Sequence, residues 1–161
     1  MIHLDQFEIK TTNPEETGNM AMKLAQHLQA GDVITLEGDL GAGKTTFVKG
    51  LAKGLGIGRT VNSPTFTIMK EYADGRLPLY HMDVYRIENS DEDLGFDEFF
   101  DGDGVTVVEW AHYIEDQLPE ERLDVFIRYI QDNTRSLIFR PKGKRYIKLC
   151  KEFFTDDGIS D

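Results

Sequence analysis

Cysteine is almost missing from this chain. Cys150 is the single one among 161 residues, so no internal disulfide can form and a reducing compartment fits. No motif surrounds Cys150, which reads as a packing residue. Long apolar runs are also missing; none approaches the roughly 20 residues that cross a bilayer. The start, MIHLDQFEIK, has no basic segment followed by an apolar one, the mark of a secretion signal. The expectation is a cytoplasmic protein with no membrane contact. CxxC and HExxH do not occur, and the four histidines lack metal-ligand spacing, which argues against a zinc site. Positive charge is scarce: 18 Lys and Arg face 29 Asp and Glu, for a net charge of −11. That deficit weighs against independent nucleic-acid binding, which rests on cations neutralising phosphates. It leaves open a role on RNA through a basic protein partner.

What is present suits one globular domain over residues 1–161, with an acidic tail, about 155–161, expected to be disordered. Gln6 to Thr11 alternates like a strand. Asn13, Pro14 and Glu16 open a helix whose stripe extends through Ala30, where Gly31 ends it. Val33 to Glu37 is a short buried strand, and Thr45 to Leu55 is helical until Gly54 and Gly56. Thr65 to Tyr72 and Leu77 to Tyr85 read as an antiparallel hairpin about the turn 73–76. Residues 89–102 suit a short helix and loop whose Phe-rich part reads as core. Val105 to Trp110 is a strand, and Ala111 to Leu118 a short helix closed by Pro119. Leu123 to Ile130 and Ser136 to Arg140 are strands around the turn 131–134, and Lys142 to Phe154 is a basic helix. This order predicts an α/β protein, a phosphate-loop three-layer fold with a mixed central sheet. The strand at 33–37 should be central.

The chemistry concentrates at Gly38-Asp39-Leu40-Gly41-Ala42-Gly43-Lys44-Thr45, which fits GxxxxGK[ST]. Its glycines permit backbone conformations barred to other residues, so amides can approach phosphates closely. Successive N–H groups then form an anion nest, and the helix starting near Lys44 adds its positive end. Lys44 suits the β- and γ-phosphates, and the Thr45 hydroxyl suits Mg²⁺. An apolar strand before the loop and a helix after it supply the context the motif requires.

Such a site needs an acid at a strand end. Asp83 and Glu109 both qualify, and either alone could be a solvated rim acid. His81 reads as structural, and Trp110 as a core or rim aromatic. Ser63-Pro64-Thr65-Phe66 falls where a segment could offer a hydroxyl to the γ-phosphate, or simply be a turn into a strand. Arg86 suits a phosphate or the nearby Glu88 equally well.

Four blocks together, GDLGAGKTT at 38–46, SPTF at 63–66, HMDVYR at 81–86 and Glu109-Trp110, resemble the bacterial TsaE (YjeE) ATPases of tRNA threonylcarbamoyladenosine biosynthesis. The resemblance covers about residues 10–140. It implies a weak, Mg²⁺-dependent ATPase acting with a TsaD-type transferase subunit and its TsaB-type companion. Those partners modify adenosine 37 of tRNA, so this chain would meet tRNA only through the complex. By the same resemblance, residues 38–46 (Gly38, Asp39, Leu40, Gly41, Ala42, Gly43, Lys44, Thr45 and Thr46) contact ATP. Thr45 and Glu109 hold Mg²⁺, and Asp83 and Lys44 serve hydrolysis. Ser63, Pro64, Thr65 and Phe66 act as one switch and Trp110 belongs to another, while Thr12 and Arg135 lie near the nucleotide. The segment after about 140 matches no family motif.

The main competitor is a small-molecule kinase of the phosphate-loop type, although no Arg-rich lid segment is present. A GTPase-like switch is disfavoured, because no Asn-Lys-x-Asp motif occurs. A nucleotide-binding assembly module, in which hydrolysis is incidental, is the third alternative.

Overall fold

A computed structural model describes residues 6–38, 43–62, 69–84 and 96–156. The switch segment 63–66, the loop residues 39–42, Arg86, Glu88 and the tail 157–161 therefore lie outside the described residues. The elements are β1 (Phe7–Thr11), α1 (Pro14–Ala25), β2 (Val33–Gly38), α2 (Lys44–Gly54), β3 (Met69–Tyr72), β4 (Leu79–Asp83), α3 (Asp97–Phe100), β5 (Val105–Glu109), a 3-10 helix (Ala111–Gln117), β6 (Arg122–Gln131), β7 (Thr134–Lys142) and α4 (Lys144–Asp156).

One mixed sheet of seven strands runs β1-β7-β6-β2-β5-β4-β3, with β2 at its centre as expected. The three pairings β6-β2, β2-β5 and β5-β4 are parallel, and the outer pairings are antiparallel. The parallel strands are apolar on both faces, because helices cover both. On one face Ile34, Leu36, Val105, Val107, Leu123 and Val125 pack with residues of α1, α2 and α4. On the other, Val33, Met82, Val84 and Val108 pack with Phe96, Phe100, Ala111 and Ile114. Three layers result.

Local chemistry sets α1. Asn13, in extended conformation, accepts the Glu16 N–H at 2.8 Å, and Pro14 occupies the first turn. Glu16 reaches back to the Thr12 N–H at 2.6 Å. The helix ends at Ala25, not at Ala30 as the apolar stripe suggests. The reason is tertiary: Arg76, from the β3–β4 turn, donates to the Ala25 and Leu28 carbonyls at 2.9 and 3.3 Å. These carbonyls gain a partner from a distant segment, so the helix can stop early.

Two further boundaries differ. β6 and β7 are longer than expected, because pairing continues to Gln131↔Thr134 and leaves a two-residue turn with Asp132 at φ 47°. The C-terminal helix starts at Lys144 and continues through residues 155 and 156, which were expected in the disordered tail. This helix is a core element: Tyr146, Leu149, Cys150, Phe153 and Phe154 are all buried. Arg145 ties it down through Asp32 at 2.6 Å and the His27 carbonyl at 2.9 Å.

Tyr146 seats α4 on the sheet, its hydroxyl accepting the Val33 N–H at 2.9 Å. Burial is the main cause that pushes this phenol up to about 12. Its neutral form therefore belongs to the fold. The stability it brings is complete below about pH 10 and is lost as pH climbs toward 12. Tyr146→Phe should cost about 1–3 kcal/mol by orphaning the Val33 N–H. It should also flatten the alkaline fall in melting temperature, as followed by circular dichroism; an unchanged alkaline profile would contradict this role.

Candidate functional site

The parallel register builds the site. Leu36 lies opposite Glu109, and Asp83 opposite Glu109, so β2, β5 and β4 end in one row at the carboxyl edge of the sheet. Ligands of open α/β sheets sit at this edge. β6 is parallel to β2, and β7 and β1 alternate in direction. Thr11 therefore pairs with Arg135 at the same edge, which brings Thr12 and Arg135 to the side where β2 meets its loop. Sequence separation hid this neighbourhood; the topology creates it.

Gly43 immediately precedes α2 with φ 111°. Among the described residues nothing lies within 4 Å of the place where its Cβ would stand, and its positive φ is what favours glycine here. Lys44 opens the helix and is buried, 7% exposed. Its Nζ donates to the Gly38 carbonyl at 2.8 Å and lies 3.9 Å from the centre of the Trp110 ring. Among the described residues no carboxylate pairs with it. The ammonium is thus held at the loop by a carbonyl and a π face, partners an incoming phosphate can outcompete. Thr45 is exposed and Thr46 partly exposed, both in the first turn of α2.

Trp110 has backbone angles φ 60° and ψ 35°, a left-handed conformation that a bulky residue rarely adopts. Such strain gathers at functional segments. It turns the chain from β5 into the 3-10 helix and sets the indole over Lys44. Trp110 is therefore a rim aromatic that contacts the phosphate-loop lysine. His112, in the same segment, lies 2.6 Å from Glu37 through its Nδ1, joining the chain after β5 to the end of β2.

Glu109 is 3% exposed and Asp83 is half-buried. Side chains two apart on a strand share a face. Leu79 belongs to the core on the α2 side, so Asp83 projects toward that side; Val105 and Val107 place Glu109 there too. Glu109 Oε2 meets His81 Nε2 at 2.5 Å. The sequence reading missed this link between His81 and Glu109, and also the His112–Glu37 contact. Strand alternation held the signal for the first: 81 and 83 on β4, and 107 and 109 on β5, necessarily face one way. Arg135 has its guanidinium 4.9 Å from the Tyr129 ring centre and donates to the Asp132 carbonyl at 2.8 Å. Thr12 is tied to Glu16 through both its N–H and its hydroxyl.

Among the described residues no cluster of three or more His, Cys, Asp or Glu could hold a metal. A Mg²⁺ held by one hydroxyl and one carboxylate, with phosphate oxygens and waters completing the octahedron, needs no such cluster. Thr45 and Glu109 fit that mode of binding. No helix of the described residues is long and apolar enough to cross a membrane.

These features define an α/β protein of the phosphate-loop type, with its lysine, two acids and a strained tryptophan gathered at the carboxyl edge of parallel strands. The chain matches the family described as "Threonylcarbamoyl adenosine biosynthesis protein TsaE" over residues 11–137, and it belongs to that family. It is 59% identical to the tRNA threonylcarbamoyladenosine biosynthesis protein TsaE of Bacillus subtilis (strain 168), over 98% of this chain and 100% of that one. It is 40% identical to the protein of the same description from Nostoc sp., over 86% of this chain and 88% of that one. The crystal structure of B. subtilis YdiB superposes with a TM-score of 0.87 at 53% identity, covering 98% of this chain and 99% of that one.

Proposed function

We propose that this protein binds ATP with Mg²⁺, hydrolyses it weakly, and thereby supports threonylcarbamoylation of adenosine 37 in tRNA. The observation that carries the proposal is the meeting of Lys44 and the first turn of α2 with Glu109 and Asp83 at one sheet edge. The first turn of α2 offers its amides and positive end to the phosphates, and Lys44 leaves the Gly38 carbonyl to take the β- and γ-oxygens. Thr45 and Glu109 would hold the Mg²⁺, which would supply positive charge against the phosphates. Asp83 is half-buried at the end of β4 and orients the attacking water or accepts its proton. Thr12 and Arg135 flank the nucleotide. The segment 63–66 and Trp110 respond to the γ-phosphate as switches.

The acidic surface suits a subunit that meets protein partners, TsaD-type and TsaB-type, in the cytoplasm, rather than tRNA directly. Nucleotide state would gate that assembly.

Phosphate release from ATP, measured for the protein alone and then with the two partners and tRNA, tests this. Low activity that rises in the complex is the expected result. Activity indifferent to the partners, but stimulated by a metabolite that becomes phosphorylated, would mean a kinase instead. Asp83→Asn should still bind ATP while phosphate release drops by about a hundredfold or more, the usual scale for losing a proton acceptor. Full tRNA modification by that variant would make hydrolysis dispensable.

A further inference from the structure

His81 carries more than packing. Its side chain is 1% exposed and that of Glu109 5% exposed, and the two meet through His81 Nε2 and Glu109 Oε2 at 2.5 Å. The other ring nitrogen, Nδ1, is buried and finds no hydrogen-bond partner among the described residues. That asymmetry assigns the ring. An ionised carboxylate only accepts, so the hydrogen sits on Nε2. The hydrogen bond therefore runs from the Nε2–H of His81 to Oε2 of Glu109.

A carboxylate as enclosed as Glu109 needs a donor to satisfy its oxygens and hold one orientation. The His81 ring supplies that donor to one of the two oxygens. We propose that His81 is a positioning residue: its Nε2–H fixes Oε2 of Glu109 and leaves Oε1 as the oxygen presented to the divalent cation at the phosphate loop. This rests on Glu109 being the acid on the metal side, as proposed above. Residues that orient ligating side chains in this way are worth about 10–100-fold in metal affinity.

Two variants of similar polarity separate this role from mere packing. In His81→Gln the amide nitrogen reaches the place of Nε2; in His81→Asn it reaches only that of Nδ1. Calorimetry with a non-hydrolysable ATP analogue, in Mg²⁺ and in EDTA, gives the affinity gained from Mg²⁺. His81→Asn should lose about tenfold or more of that gain, with Mg²⁺-free affinity unchanged. His81→Gln should keep the gain within about threefold of the parent, a difference of under 1 kcal/mol. Equal behaviour of the two variants would overturn the proposal. Glu109→Gln is the control for its premise: if that variant keeps the full gain, Glu109 is not at the metal, and the failure lies in the functional reading instead. If the His81 variants do not fold, nitrogen-detected NMR of the unaltered protein still decides. A hydrogen on Nε2, bonded to the Glu109 carboxylate, is expected at His81, and a ring carrying its hydrogen on Nδ1 alone would overturn the assignment.

Discussion

Lys44→Ala should abolish measurable binding of ATP and ADP while leaving the protein folded. Lys44 is the cation the phosphate loop offers, and among the described residues its ammonium has only the Gly38 carbonyl and the Trp110 ring as partners. Removing it sacrifices no carboxylate pair, so the folded state loses little. The phosphates lose a charge-assisted donor in a buried site, which costs about 3 kcal/mol or more, at least a hundredfold in affinity. Trp110 provides a direct readout, being the protein's single tryptophan. Its ring faces the Lys44 ammonium, so nucleotide binding should change its fluorescence as the lysine moves to the phosphates. Titration of the variant should give neither that change nor heat. Unaltered ATP affinity in Lys44→Ala would sink the assignment of the site.

The second large effect concerns the seam between α1 and α2. A Cβ on Gly50 would run into the Gly18 carbonyl oxygen and come within 2.9 Å of Ala21 Cβ. One on Gly54 would lie 2.5 Å from the Met22 carbonyl oxygen and 2.6 Å from Ala25 Cβ. Both obstacles include backbone, which cannot step aside as a long side chain can. Gly50→Ala and Gly54→Ala each gain about 1 kcal/mol of helix propensity. Each must also force the helices apart, at an overpacking cost of roughly 1–3 kcal/mol and occasionally more. Together they should destabilise the protein by up to about 4 kcal/mol in urea unfolding. They should also weaken nucleotide binding, because α2 carries Lys44 and Thr45. Gly18→Ala is the matched control, since among the described residues its Cβ would meet only Thr46 Cγ2, at 3.9 Å. That variant should be neutral or stabilised by up to about 1 kcal/mol. Equal stability for Gly18→Ala and Gly50→Ala would contradict the helix seam described here.

Glu109→Ala gives a smaller but sharper test. It should weaken nucleotide binding in Mg²⁺ more than in EDTA, as read by calorimetry. Equal losses would remove Glu109 from the metal.

Much of this was legible in the sequence because the relevant signals are local. Period-two alternation marks β1, an apolar run marks β2, and Asn13-Pro14 marks the start of α1. The phosphate loop is a local device too: a glycine with φ 111° and the lysine after it do their work within one turn of chain. Helix ends were less legible. Whether α1 runs on to Ala30 depends on Arg76, some fifty residues away, which caps its carbonyls. The basic residues of α4 marked a helix but not its place, and its aromatic and aliphatic positions fill the core against β1 and β7.

By itself, then, the sequence determined the α/β class, the phosphate loop, the central place of β2 and the pair of candidate acids. These follow from residue types acting on their immediate neighbours. Only the tertiary structure decided that Thr12 and Arg135 share an edge with the loop, that Trp110 lies over Lys44, and that His81 is bonded to Glu109. Those relations arise from strand direction and register, which are fixed by how seven strands bury both faces of one sheet, and no local stretch of chain encodes them.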